Sequence, residues 1–599
     1  MRRMARQAQT VSSASPAAKS VTETIRETLE SIVVAFILAF VFRAFVVEAF
    51  VIPTGSMAVT LYGDQATTTC SACGYEYARG VTQTDVAEAI QRRVYNNRLR
   101  CPNCDTEVDR IPMARLQRPD SGDRILVQKW GWSLGLGGKH FGPNRWDVTV
   151  FKDPKDGTTN FIKRLVGLPG EVLEIIDGDV YTVPVAELQS KEPGVVEALD
   201  ELRREVYFYG IKSGPAAPFE QIHSRYAELN QRILPHLRIA RKTELAQEPL
   251  WSNVYDHDYL PAATDNTRPV STVGWRPVGD AAAKVWTTSG RELVCECSED
   301  TLQAIQFSGK EISDLVTYND SGRYGRGPRG GTFLVGDVRL RFTWFPIAGN
   351  GGLRLQINKD RDVFIADIGA DGIVAIEQQG PGLPGGKRLV GQAKISRPLR
   401  SGRAVKIEFA NVDYRVSLRV DGKELVATGD EYQPDIARAV QVSLRKVDDV
   451  RPTTVQIAAR NLHSRFRHVV VERDVYYQST PQIEHDNDKG QTNPHVGWPA
   501  WGTTGHPMLL RQGRGVNGRY YSGEYFMLGD NSPASKDSRL WWEVGPHLKP
   551  LGEEYQLGTV PGDQLIGRAF FVYWPAGYRS SWAAGLGVIP NFGRMRWIR

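Results

Sequence analysis

Phe161-Ile162-Lys163-Arg164-Leu165-Val166-Gly167-Leu168-Pro169-Gly170-Glu171 reads as a strand running into a Pro-Gly turn. It sets one lysine between apolar neighbours, where desolvation lowers a lysine pKa. Upstream, Phe50-Val51-Ile52-Pro53-Thr54-Gly55-Ser56-Met57 places a serine just beyond a hydrophobic span. Singly, a Ser after Gly is an ordinary turn residue, and a Lys at a strand end is an ordinary solvated one. Together, Ser56 and Lys163 suggest a nucleophile and its base, a pairing that needs neither histidine nor aspartate.

The surroundings of these segments are β-rich. Arg124 to Lys129, Asp147 to Lys152 and Asn160 to Val166 read as short strands, and Val172 to Val183 as a hairpin turning at Asp177-Gly178-Asp179. The 58 Gly and 34 Pro favour many turns over helical bundles. A chain of 599 residues is long for one domain. Its net charge of +6 is small for that length and argues against a nucleic-acid partner.

Ile32 to Phe42 is an unbroken apolar run, interrupted at Arg43 and resumed to Val47. Ser31 to Val47 reaches the lower limit of about 17 residues for a spanning helix. Arg43 lies near one end, where its side chain can snorkel. Arg2, Arg3, Arg6, Lys19 and Arg26 precede the run, and no Lys or Arg follows until Arg79. The positive-inside rule then leaves the N-terminus in the cytoplasm and the rest outside. A cleaved signal peptide ending near Val47-Glu48-Ala49 is the alternative.

Further boxes repeat in order along the chain. Pro53-Thr54-Gly55-Ser56-Met57-Ala58-Val59-Thr60-Leu61 is followed by Gly122-Asp123-Arg124-Ile125-Leu126-Val127-Gln128-Lys129 and then by the lysine segment. Gly529-Asp530-Asn531-Ser532-Pro533-Ala534-Ser535-Lys536-Asp537-Ser538-Arg539 comes last, with Ile566-Gly567-Arg568-Ala569 and Trp574-Pro575 closing the series. In these boxes the chain resembles the type I signal peptidases, membrane-anchored Ser/Lys peptidases of the S26 leader-peptidase type. It departs from their pattern at Val59, where the family usually has proline, and at Ser532-Pro533, where an Arg is common.

The resemblance implies a serine endopeptidase that removes signal peptides from exported preproteins, without a cofactor for catalysis. Ser56 would attack and Lys163 would take its proton. Thr54 would join the Ser56 N–H in holding the oxyanion, and Ser535 would orient the lysine amine. Asp537 and Arg539 would pair to brace the turn, which Gly529 and Asp530 set. Phe50, Ile52, Pro53, Met57, Leu61, Phe161 and Ile162 would line shallow pockets for small side chains. The lipid bilayer is an expected partner, and the bacterial cytoplasmic membrane, outer face, the expected location.

Cys70-Ser71-Ala72-Cys73 and Cys101-Pro102-Asn103-Cys104, separated by 27 residues, look like two knuckles of a zinc ribbon. Four thiolates close a tetrahedron and leave no open position, so the expected zinc is structural. Two disulfides are the alternative in an oxidising location. Cys295 and Cys297 alternate on one strand face and read as buried free thiols.

A second insertion separates the lysine box from the last box. Ala186 to Lys242 has helical periodicity at Val196, Leu199, Leu202, Ile222, Tyr226, Leu229 and Ile233. Farther on, alternation dominates, as in Val338-Arg339-Leu340-Arg341-Phe342 and in Tyr414 to Val420 before the Asp421-Gly422 turn. This pattern suggests a jelly-roll β-sandwich similar to concanavalin-like and laminin-G-like domains. Such domains often bind a carbohydrate or a protein; a structural spacer is the other reading.

The expected fold is therefore mainly β. Residues 1–30 form a cytoplasmic segment and 31–47 a transmembrane helix. The peptidase core is split into 48–64, 121–183 and 519–599. Residues 65–120 form the ribbon, 184–272 a partly helical connection, 273–477 the sandwich and 478–518 a linker. A membrane-tethered binding module on an inactive peptidase scaffold is the alternative function. A self-cleaving repressor, which uses similar chemistry, is disfavoured by the span and by the lack of a DNA-binding region.

Overall fold

In the computed structural model, the structure describes residues 21–81, 99–108, 119–129, 143–211, 219–261, 272–319, 333–397, 399–479, 500–516, 519–575 and 591–598. The protein is mainly β. Strands of one antiparallel sheet carry the boxes quoted above, in the spatial order Val47–Val51, Arg124–Gln128, Leu565–Trp574, Val148–Lys152, Asn160–Gly167, Glu524–Leu528 and Val560–Pro561. Residues far apart in sequence are neighbours here, so the boxes make one surface. Alternation drives the packing: Ile125 and Val127 of one strand face inward with Val148, Val150, Ala569 and Val572.

A smaller sheet, in the order Arg238–Ile239, Asp179–Pro184, Glu171–Ile176 and Met508–Leu510, packs against helices Val195–Ile211 and Phe219–Ile233. Leu199, Leu202, Ile222, Tyr226 and Ile233 are buried, as their helical spacing requires, while Val196 and Leu229 are partly covered. The inserted sandwich has two sheets, one centred on Val338–Ala348 and Leu462–Arg473, the other on Gly352–Lys359 and Val455–Arg460. Leu340, Phe342 and Trp344 from the first meet Leu355, Ile357 and Ile457 from the second in one core. Cys295 and Cys297 both lie buried in that core.

Three boundaries differ from the sequence reading. The expected span 31–47 is helical from Val21 through Phe45, and Val47 already pairs with Gln128 as the first strand of the sheet. Among the described residues, no helix is long and apolar enough to cross a membrane. The helix nevertheless carries exposed apolar side chains, including Ile32, Phe36, Leu38 and Phe40. The sandwich begins earlier than 273, because Ser252–Asp256 pairs with Leu462–Arg473. Within the expected linker 478–518, Trp501 is buried and Met508–Leu510 pairs with Glu171–Ile176, so this stretch completes the smaller sheet. Polar, Gly-rich composition hid a short buried strand there. Residues 480–499 of that linker, with 1–20, 82–98 and 109–118, lie outside the described residues.

Candidate active site

Ser56 sits in a short helical turn, Gly55–Met57, immediately after the edge strand of the large sheet. Lys163 lies on the strand Asn160–Gly167, opposite Thr149 on one neighbour, while Arg164 pairs with Leu528 on the other. The sheet brings Lys163 Nζ to 2.7 Å from Ser56 Oγ, and Nζ also donates to the Ile162 carbonyl at 3.1 Å. The Phe161 ring lies 5.5 Å from Nζ. Lys163 is 5% exposed. Burial pulls its amine down from the usual range to about 8, against an upward pull from Asp537, Asp530 and Asp153. A buried lysine with no carboxylate bonded to it is poised to be neutral, and a neutral amine can accept the Ser56 hydroxyl proton.

Two buried ion pairs support this geometry. Arg164, on the opposite strand face from Lys163, donates Nε and Nη2 to Asp530, both at 2.7 Å, and Nη1 to the Trp146 carbonyl. Arg539 grips Asp537 at 2.9 and 2.7 Å, and Asp537 accepts the Gly529 N–H at 3.0 Å. Both pairs are fully buried. They keep the two carboxylates engaged, so neither bonds the lysine directly. Asn531 reaches the nucleophile turn itself: its N–H donates to the Ser56 carbonyl at 3.1 Å and its Nδ2 to the Gly55 carbonyl at 2.9 Å.

Residues 107–197 and 500–574 match the model of the signal peptidase, peptidase S26, family. In these stretches the chain resembles that family. The matched stretches contain Lys163, Arg164, Asp530, Ser535, Asp537 and Arg539, and Ser56 lies upstream of them. Among curated relatives, a signal peptidase I of Pseudomonas fluorescens is 33% identical over 113 residues, 15% of this chain and 39% of the relative. Another, of Rickettsia typhi, is 26% identical over 160 residues, 26% of this chain and 44% of the relative. The chain thus spans about two fifths of the length of the relatives it matches. Among solved structures, the carbohydrate binding module CBM66 from Bacillus subtilis is 13% identical, covering 33% of this chain and 95% of that one at a TM-score of 0.21. That similarity is too low to carry an argument.

Around Ser56 and Lys163, the other residues singled out from sequence fall into different places. Thr54 is exposed beside the turn, and its hydroxyl makes no cap to the turn. Ser535 is buried, and its Oγ has no hydrogen-bond partner among the described residues, so it does not bond the lysine amine. It does approach the nucleophile turn closely: a Cβ on Gly529 would meet Ser535 Oγ at 2.1 Å and the Ser56 carbonyl at 2.5 Å. That crowding requires glycine at 529. Asp530 acts through Arg164 rather than by setting the turn alone. Phe50, Phe161 and Ile162 are half-buried and Pro53 is exposed. Ile52, Met57 and Leu61 instead sit in the core with Ile125 and Val127, 2%, 0% and 0% exposed, and offer no surface to a substrate. Apolar composition alone does not separate pocket wall from core.

The four knuckle cysteines converge. Cys70 Sγ lies 3.7 Å from Cys104 Sγ, and Cys73 Sγ 3.6 Å from Cys101 Sγ. A disulfide needs about 2.05 Å, and all four thiols are free. A tetrahedron with Zn–S of about 2.3 Å has S···S edges of about 3.8 Å. The donor set and its spacing therefore fit zinc. The Asn103 N–H points at Cys101 Sγ at 3.4 Å, and Asn103 is itself locked into the sandwich by bonds to the Asp256 and Tyr259 carbonyls at 3.1 and 3.0 Å.

Proposed function

We propose that this chain is a serine endopeptidase that removes signal peptides from exported preproteins with a Ser56/Lys163 dyad. The observation that carries the reading is the 2.7 Å approach of a buried amine, bonded to no carboxylate and with its pKa lowered to about 8, to a serine oxygen. In the acylation step, Lys163 Nζ takes the Ser56 hydroxyl proton as Oγ bonds the scissile carbonyl carbon. The oxyanion that forms is held by the Ser56 N–H and the Thr54 hydroxyl. The C–N bond then breaks, and Lys163 returns the proton to the departing amine of the mature chain. Water, deprotonated by Lys163, hydrolyses the acyl ester and restores Ser56. Ser535 would orient the amine by accepting a hydrogen bond from it in the substrate complex.

The exposed apolar side chains of the N-terminal helix and the one-sided basic charge before it support a membrane anchor. The proposed location is the bacterial cytoplasmic membrane with the catalytic sheet on the outer face. The four knuckle cysteines hold a structural zinc that cross-links the ribbon. The sandwich would take a carbohydrate or protein partner.

The test is cleavage of a preprotein by the detergent-purified chain beside Ser56→Ala and Lys163→Ala. Release of the mature protein by the parent, lost in both variants, is the expected result. A folded parent that cleaves nothing sinks the reading and leaves a binding module on an inactive scaffold.

A further inference from the structure

The inserted sandwich does not hang beside the site; one of its connections reaches the nucleophile turn. The ring of Tyr318 lies so close to Gly55 that a Cβ there would stand 2.0 Å from Tyr318 Cε1, and one on Gly80 of the ribbon 2.5 Å. Any larger residue at Gly55 would push the ring away. The Tyr318 hydroxyl donates to the Asp64 carbonyl at 3.1 Å, and its ring meets Tyr62 at 5.6 Å. The next residue, Asn319, exchanges amide hydrogen bonds with Asn531, each 2.6 Å long. Asn531 is the residue that holds the carbonyls of Gly55 and Ser56.

The two departures from the family pattern also face inserted residues. Val59 lines a cavity of about 550 Å³ together with Trp251, Ser252 and Val316. Ser532 Oγ accepts the N–H of Gln478, where the chain leaves the sandwich, at 2.8 Å.

We infer that Tyr318 and Asn319 are positioning residues for Ser56, making the inserted sandwich part of the peptidase site. This rests on the peptidase reading above. The Gly55–Met57 turn is only three residues long and follows exposed Pro53 and Thr54. It has little packing of its own on that side. Tyr318 and Asn319 supply it, the first by pressing on Gly55 and the second through Asn531. A displacement of about 1 Å at a reacting atom costs up to about 100-fold in rate, so removing either support should appear in turnover.

The experiment uses the full chain in detergent with a preprotein substrate, comparing the parent with Tyr318→Ala, Tyr318→Phe, Asn319→Ala and Ser56→Ala. Tyr318→Ala and Asn319→Ala should lower kcat about 10- to 100-fold while KM stays within about twofold. Tyr318→Phe keeps the ring against Gly55 and should recover most of that loss. Amide hydrogen exchange over residues 52–61 should quicken in the two alanine variants, while Gly352–Lys359 and Leu462–Arg473 keep their protection. Unchanged kcat, a change confined to KM, or unchanged exchange over 52–61 overturns the inference. A parent no more active than Ser56→Ala removes the peptidase reading instead, and the exchange data then decide alone whether the insertion holds the turn.

Discussion

Lys163 and Lys359 are both buried, and their surroundings make them opposites. Among the described residues, Lys163 Nζ hydrogen-bonds a hydroxyl and a carbonyl and no carboxylate, so burial wins and the amine falls to about 8. Lys359 joins the sandwich to the smaller sheet, between Asp179 at 3.0 Å and Asp337 at 2.7 Å, over the ring of Tyr414 at 3.9 Å. Burial pulls on it too, but the two carboxylates outweigh it and its pKa is raised well above the ordinary value. Lys242 is held the same way by Asp413 and Asp474. The same side chain is a fixed cation where acids surround it and an amine pulled towards neutrality where arginines hold the acids. Arg164 and Arg539 do that at the site, binding Asp530 and Asp537.

Replacing each lysine by methionine should separate the two roles. Lys163→Met is expected to lower kcat/KM by about 10⁴-fold or more, the usual scale for losing a member of a nucleophile–base unit. It should also stabilise the fold, because burial pulls the native amine down to about 8 from its ordinary 10.5. That penalty is fully present below about pH 8 and fades as pH rises towards 10.5; at neutral pH it is about 3 kcal/mol. Lys359→Met should do the reverse. It leaves Asp179 and Asp337 buried without their cation and should cost about 3–5 kcal/mol of stability. Chemical denaturation at pH 7, run beside the cleavage assay, tests both. A destabilised Lys163→Met, or a Lys359→Met as stable as the parent, would break the comparison.

The pH dependence sharpens it. Only the neutral form of Lys163 can take the serine proton, so kcat/KM should climb about tenfold per pH unit below the pKa and level off above about 8. Lys359, with its pKa raised, stays charged through this range and should add no limb of its own. A profile flat from pH 6 to 9 would mean that Lys163 is not the titrating base.

How much of this could be read from the chain follows from how local each signal is. Ser56, Lys163 and the four knuckle cysteines stand in short segments whose residue types and spacing announce chemistry. The alternation of Val338 to Phe342 announces a sandwich strand in the same local way. Arg164 was passed over because its partner Asp530 is 366 positions away. A charged residue inside an otherwise apolar strand was the one available hint. Tyr318 and Asn319 gave none, because Asn319 meets Asn531 across 212 positions in a stretch with no periodicity. Ile52, Met57 and Leu61 suit a pocket wall by residue type yet sit in the core, because a pocket and a core share one alphabet. The strand Met508–Leu510 was missed because three residues are too few to show alternation.

Ser532 tests the smallest part of the comparison, the arginine that keeps Asp537 away from the lysine. Its hydroxyl lies 2.9 Å from Arg539 Nη1 and 2.8 Å from the Gln478 N–H, and its carbonyl accepts Nη2 at 3.0 Å. It is 1% exposed, so the donors it serves, on Arg539 and Gln478, are buried with it. Ser532→Ala keeps the carbonyl but strips an acceptor from two buried donors, which should cost about 1–3 kcal/mol of stability. Arg539 would still hold Asp537 through Nε and Nη2, and kcat should fall less than it does for Asn319→Ala. If instead the pH profile of Ser532→Ala moves upward, then Asp537 has been freed to pull on Lys163. The ordinary-looking serine would then be part of what keeps the base neutral.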